Sequence, residues 1–214
     1  MKPSSSKQKI ELKTIMLGKT TVGKTFITTR IAGFEDDKQC ATVGASFIMA
    51  NRGNIKYNIW DTGGQERFRC LMPMYIRDSK IVIFVFDATD IKSLDEIDRY
   101  VSDLGVLKDY YVIIVGNKID LLDDVQLKDM VESTNKKLEN FALKEYVYAY
   151  VFVSAKTLEN FDNFLLELHD CAKSLCGNNN ESTPNTKANK VENTINVIVD
   201  QNIKKDGEES QCSC

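Results

Sequence analysis

The chain has 214 residues, of which 43% are apolar and 28% charged, with a formal net charge of −3. That length and balance suit one well-buried soluble domain, and the weak negative charge excludes a nucleic-acid binder held by bulk electrostatics. No apolar run reaches the roughly 18–20 residues that span a bilayer, and the polar start MKPSSSKQKIELK lacks the apolar core of a signal peptide, so the expected setting is cytosolic.

Residues 1–8 read as a flexible N-terminus, 9–176 as one folded domain and 177–214 as a flexible tail. Ile10–Leu17 has the pattern of a buried strand, and Gly23–Ile31 begins a helix after a glycine-bearing loop. Val43–Ala50 and Ile55–Trp60 read as strands flanking Asn51-Arg52-Gly53-Asn54, a hairpin signal. Lys80–Phe86, Tyr110–Val115 and Tyr146–Val153 are short runs rich in β-branched and aromatic residues, as in strands buried on both faces. Between them, Ser93–Leu107, Val125–Phe141 and Leu158–Cys176 carry apolar residues at helical spacing. Strands alternating with helices predict an α/β domain with a mostly parallel sheet, whose ligands sit at the carboxyl ends of the strands. After Cys176 the chain turns polar, opening with GNNNESTPN and carrying one apolar patch, Ile195–Val199. Such a composition cannot bury enough surface to fold and reads as a tether. Cys40, Cys70, Cys171 and Cys176 are scattered without a CxxC pair, which predicts reduced thiols rather than a disulfide framework or a zinc site.

Gly18-Lys19-Thr20-Thr21-Val22-Gly23-Lys24-Thr25 fits G-x-x-x-x-G-K-[ST] between a strand and a helix. Glycines let the backbone wrap closely, so that its N–H groups and the helix N-terminus hold phosphate oxygens. The expected phosphate-binding set is Gly18, Thr20, Thr21, Val22, Gly23, Lys24, Thr25 and Phe26. Lys24 is expected to reach the outer phosphates and the Thr25 hydroxyl to ligate Mg²⁺. Asp61 ends a strand where a carboxylate can hold the same metal. Thr42 is the hydroxyl that completes the metal shell when a γ-phosphate is present, and Gln65 can orient an attacking water. Gly64 offers a backbone N–H to that phosphate. Asn117-Lys118-Ile119-Asp120 follows another strand, and there Asp120 can accept two hydrogen bonds from guanine. Adenine lacks one of those donors, and sites built on hydrogen bonds reject such analogues by ~10⁴-fold or more. Ser154-Ala155-Lys156 ends the next strand, placing the Ala155 N–H to meet the guanine O6.

Together these residues resemble a small GTPase of the Ras superfamily, and most closely its Rab branch. WDTGGQERF resembles that branch's WDTAGQERF, and Thr42-Val43-Gly44-Ala45-Ser46-Phe47 resembles its TIGVDF. Cys212-Ser213-Cys214 resembles the Cys-x-Cys that Rab proteins carry for double geranylgeranylation. The resemblance implies a P-loop G domain: a mixed, mostly parallel six-stranded sheet flanked by five helices. It also implies bound GTP or GDP with Mg²⁺, switch loops ordered by the γ-phosphate, and slow hydrolysis. Implied partners are an exchange factor, a GTPase-activating protein, effectors, and a GDP-dissociation inhibitor or escort; the implied role is vesicle traffic on the cytosolic face of an intracellular membrane. One lipid chain binds membranes only marginally, and the tail is not polybasic, so Cys212 and Cys214 would both carry lipid.

Several features depart from the family pattern. The stretch from Thr25 to Thr42 is one residue short, and its usual tyrosine is Gln39. Phe34 is the candidate to stack on guanine. Extra length after Asp120 reads as a surface insertion around Lys136–Tyr146. Thr20 stands where it could impede an arginine finger, which leaves open a second reading, a poorly hydrolysing GTP-bound scaffold. A P-loop ATPase or kinase is disfavoured by Asp120. Gly63 replaces the usual alanine. On entropy alone, Gly63→Ala is expected to order the GTP-bound switch, by roughly 0.5–1 kcal/mol.

Overall fold

In the computed structural model, residues 10–34, 42–64, 70–105 and 110–177 are described. Gln39, Cys40, Gln65, Cys212 and Cys214 lie outside them, as does the tail from 178 onward.

Six strands form one sheet in the order β2-β3-β1-β4-β5-β6. They are β1 Ile10–Leu17, β2 Ala45–Arg52, β3 Ile55–Thr62, β4 Ile81–Asp87, β5 Tyr111–Asn117 and β6 Val147–Val153. β2 runs antiparallel to β3, and every other pairing is parallel. Among the described residues five α-helices pack around the sheet: α1 Lys24–Ala32, α2 Met72–Ile76, α3 Val101–Leu104, α4 Asp124–Glu139 and α5 Phe161–Gly177. Because side chains alternate along a strand, β1 feeds two cores. Leu12 and Met16 join α1 and α5 on one face, while Ile15 and Leu17 join α2, α4 and the stretch before α3 on the other. β4 is buried on both faces from Ile81 to Phe86, which is why it reads as an uninterrupted apolar run.

Differences from the sequence-based expectations have local causes. β2 begins at Ala45 rather than Val43 because Gly44 sits at φ 74°, outside the strand conformation. Arg52 pairs with Ile55, so the hairpin turn shrinks from Asn51–Asn54 to Gly53-Asn54. The predicted helix Ser93–Leu107 is instead a 3₁₀ helix over Ile91–Tyr100 that passes into α3. Leu94, Ile97 and Tyr100 are all buried at a strict spacing of three, the 3₁₀ period, and Leu104 then follows at the α spacing. α5 starts at Phe161, not Leu158, because Leu158 and Asn160 hold positive φ (65° and 56°). α4 starts on a capping box, with Asp123 and Gln126 exchanging side-chain and backbone bonds. α2, too short to announce a helical period, was not predicted.

The insertion after Asp120 is not merely a surface feature. Phe141 and Leu143 are buried, and Tyr146 stacks on the buried Tyr110 with ring centroids 4.7 Å apart. Among the described cysteines, Cys171 is buried, Cys176 partly so and Cys70 exposed; all are free thiols.

Candidate nucleotide site

Five parallel strands end on one side of the sheet, and the motif residues gather there. α1 opens at Lys24 on Gly23, which is left-handed at φ 96°. Glycine is needed there for space as well as torsion, since a Cβ would lie 2.3 Å from Asn117 Nδ2. Lys24, 5% exposed, folds back over the loop and donates to the carbonyls of Gly18 (2.9 Å) and Lys19 (2.8 Å). Burial pulls its ammonium from lysine's ordinary 10.5 down to about 8, against the opposing attraction of Asp61 and then Glu96. Lys19, Thr20 and Thr21 are exposed, and Thr21 holds a positive φ of 65°.

Three oxygens converge beside the loop. Thr25 Oγ1 donates to Asp61 Oδ2 at 2.6 Å, Thr42 Oγ1 donates to the same oxygen at 3.2 Å, and the two hydroxyls lie 2.9 Å apart. Asp61 is fully buried, and its other oxygen, Oδ1, has no hydrogen-bond partner among the described residues. Burial, the strongest influence, lifts its carboxyl above the usual range; the Thr25 bond, the Lys24 charge and the Thr42 bond oppose it. An orphaned buried carboxylate oxygen beside two hydroxyls is an all-oxygen donor set, and it fits a hard divalent cation such as Mg²⁺.

The strand-end loops on the other flank are tied together through Asn117. Its Nδ2 donates to the Val22 carbonyl at 2.9 Å and its Oδ1 accepts from the Ala155 amide at 3.0 Å. The Ala155 N–H, expected to meet the guanine O6, donates here to Asn117, a contact visible only once the two loops are seen together. Asp120 Oδ1 accepts from Ser154 Oγ at 2.6 Å, and that hydroxyl also accepts from the Thr157 amide at 3.0 Å. Lys118, at φ 75°, pairs with Asp87 at 2.5 Å, while Lys156 is exposed. Asp87 is the residue that sequence reasoning missed. Burial pushes its carboxyl up, but hydrogen bonds from Lys118 and Thr89 together outweigh this and hold it below the usual range. Its signal was an acid closing an otherwise apolar strand, and the β4–β5 register pairs it with Asn117. Phe34 stands one residue past the Gly33 cap of α1, 56% exposed, with its amide bonded to the Thr29 carbonyl.

The segments carrying Thr42 and Asp61 also meet each other. Gly63 donates its N–H to the Gly44 carbonyl at 2.7 Å, and a Cβ at Gly64 would lie 2.4 Å from the Thr20 nitrogen. Beside them Phe47, Trp60 and Tyr75 form an aromatic row with centroid spacings of 5.4 and 5.6 Å, and Lys13 sits over Trp60.

This fold, with a phosphate-type loop at the end of β1 and motif loops at the ends of β5 and β6, defines a P-loop nucleotide-binding domain. The sequence profile of the Ras family matches residues 13–174. Ras-related protein RabJ of Dictyostelium discoideum is 36% identical over 166 residues, spanning 74% of this chain and 62% of RabJ's length. GTP-binding protein YPT53 of Saccharomyces cerevisiae is 35% identical over 159 residues, 71% of each chain. The chain belongs to the Ras family, as a Rab-like small GTPase.

Proposed function

We propose that this chain is a guanine-nucleotide switch of intracellular membrane traffic, binding GTP and GDP with Mg²⁺ and hydrolysing GTP to GDP and phosphate. The observation that carries the reading is the convergence of the Thr25 and Thr42 hydroxyls on buried Asp61, whose second oxygen has no partner among the described residues. In this reading Gly18, Thr20, Thr21, Val22, Gly23, Lys24, Thr25 and Phe26 form the phosphate cradle. Lys24 moves its donors from the Gly18 and Lys19 carbonyls to the outer phosphates. Thr25, Thr42 and Asp61 hold the metal, which when bound neutralises charge on the phosphate oxygens. Gly64 serves the γ-phosphate through its backbone, and Gln65 orients the water that attacks it.

Asp120, held by Ser154, accepts from the guanine edge, and Ala155 offers O6 the hydrogen it shares with Asn117. Asn117, Lys118 and Lys156 frame the base, and Phe34 flanks it. Exchange factors, activating proteins and effectors would read the loops around Thr42 and Gln65 together with the Phe47–Trp60–Tyr75 row, whose Phe47 is half exposed. Among the described residues no helix is long and apolar enough to cross a membrane. Membrane attachment is assigned to geranylgeranyl groups on Cys212 and Cys214, with an escort or GDP-dissociation inhibitor shielding them in the cytosol.

Displacement of a fluorescent GDP from the purified chain tests the nucleotide reading. GTP and GDP should compete while ATP does not, and chelating Mg²⁺ should speed release. Equal competition by ATP would overturn the guanine assignment. For the tether, a tagged Cys212→Ser/Cys214→Ser variant should lose the membrane localisation of the parent; retention on the same vesicles would refute it.

A further inference from the structure

Gly63 is buried, and the space around it is closed by backbone rather than by movable side chains. A Cβ built there would lie 2.4 Å from the Thr42 carbonyl oxygen and 3.1 Å from that of Gly44. Real Cβ contacts essentially never fall under 3.0 Å, so a methyl group at this position forces the Thr42 segment to move. Torsion is not the reason for glycine: φ at Gly63 lies outside the left-handed region, unlike Gly44 at 74°. The contact extends the β2–β3 ladder. Ala45 pairs with Thr62, and the next link is the 2.7 Å bond from the Gly63 N–H to the Gly44 carbonyl. Thr62 is itself anchored, its hydroxyl donating to the Met16 carbonyl at 2.6 Å, so the 62–63 side is fixed to β1 and cannot yield easily. The residue whose carbonyl presses on Gly63 is the one whose hydroxyl reaches Thr25 at 2.9 Å and Asp61 at 3.2 Å.

We infer that Gly63 is a positioning residue for the cation site. Standing where the family usually carries alanine, it lets the 42–44 backbone of this particular chain seat closer to residue 63 than a Cβ would allow, and that seating puts the Thr42 hydroxyl into the Thr25–Asp61 oxygen cluster. The inference rests on the reading of Thr25, Thr42 and Asp61 as the metal-holding set. It reverses the entropic expectation for Gly63→Ala: the methyl group does not tighten the switch but pushes one of the metal's oxygens away. Because Thr42 joins the metal shell when a γ-phosphate is present, the effect should be specific to the triphosphate state.

The test uses the full chain loaded with a fluorescent non-hydrolysable GTP analogue or with fluorescent GDP, and follows nucleotide release against free Mg²⁺. Disturbing a residue that orients a metal ligand costs about tenfold or more in metal affinity. Gly63→Ala is therefore expected to need about tenfold more Mg²⁺ to retain the GTP analogue, with less than a twofold change for GDP. In a Thr42→Ala background, Gly63→Ala should add little, because the hydroxyl it displaces is already gone. An unchanged Mg²⁺ midpoint for the GTP analogue, or equal shifts for both nucleotides, would overturn the inference, since general loosening moves both. If Mg²⁺ does not alter release from the parent chain, the metal reading itself fails, whatever Gly63 does. Should Gly63→Ala not fold, amide exchange at Gly63 in the parent decides. Protection greater with the GTP analogue than with GDP supports the contact, and equal protection refutes it.

Discussion

Thr21 carries a β-branched side chain at φ 65°, a conformation that costs a non-glycine residue roughly 1–2 kcal/mol. The phosphate loop imposes it, for the chain must turn there between exposed Thr20 and buried Val22. Thr21→Gly should relieve the strain at some cost in unfolded-chain entropy. A net gain of about 1 kcal/mol would appear as a rise of about 2–4 °C in Tm by calorimetry, and a fall would contradict the strain argument. Lys24 supplies a second outcome. Its folded pKa, about 8, is below lysine's ordinary 10.5, so its burial burdens the fold below pH 8 and that burden lifts as pH rises from 8 toward 10.5. Phosphate oxygens favour the charged form, so nucleotide binding at pH 8.5 should take up protons. Calorimetry in buffers of different ionisation enthalpy measures that uptake directly. Affinity should fall as pH climbs above 8, approaching tenfold per unit. At this scale residue type alone singles out Lys24, Thr25 and Asp120 as candidates, because phosphate, metal and guanine chemistry each demands a particular side chain. It is blind where a role depends on what lies opposite. Asp87 stands out only because it holds Lys118, the residue just beyond β5, and Gly63 only because a carbonyl of another loop lies over it.

β5 shows how an element positions the site it carries. Gly116 lies where a Cβ would meet Phe152 Cδ1 at 2.6 Å and Phe86 Cζ at 2.8 Å, rings packed edge to face with centroids 5.8 Å apart. Asn117, the next residue, ties Val22 to Ala155. Gly116→Ala should overpack this layer, costing roughly 1–3 kcal/mol in denaturant unfolding and speeding nucleotide release as Asn117 shifts. Unchanged stability would mean that the rings yield freely. α1 is fixed at its far end by Arg52, whose guanidinium donates to the Ile31 carbonyl at 2.9 Å and the Arg30 carbonyl at 3.3 Å. β4, β5 and β6 were legible because they are nearly continuous apolar runs bounded by turns, and β3 because apolar and polar residues alternate along it. The 3₁₀ stretch was not, because Leu94, Ile97 and Tyr100 fit both periods over so short a span. The burial of Leu143 was hidden in the insertion, where it follows the end of the helical pattern and continues no period of its own.

Over the whole molecule, the parallel strands align their carboxyl ends, so loops far apart in sequence share one rim. Asn117 joins the loop after β1 to the loop after β6, and the Gly63–Gly44 contact joins the segments bearing Asp61 and Thr42. Fold class was readable from alternation alone, because only a parallel sheet with crossover helices buries such strands. The coupling between loops was not, since it consists of backbone contacts that no residue type announces. That coupling is what a nucleotide switch requires, and the account stands or falls on whether the assembled site hydrolyses GTP. Single-turnover phosphate release from the GTP-loaded, Mg²⁺-saturated chain, run beside its Gln65→Leu variant, decides this. The parent is expected to release phosphate several-fold faster than the variant, and equal rates would contradict the switch and favour a nucleotide-bound scaffold.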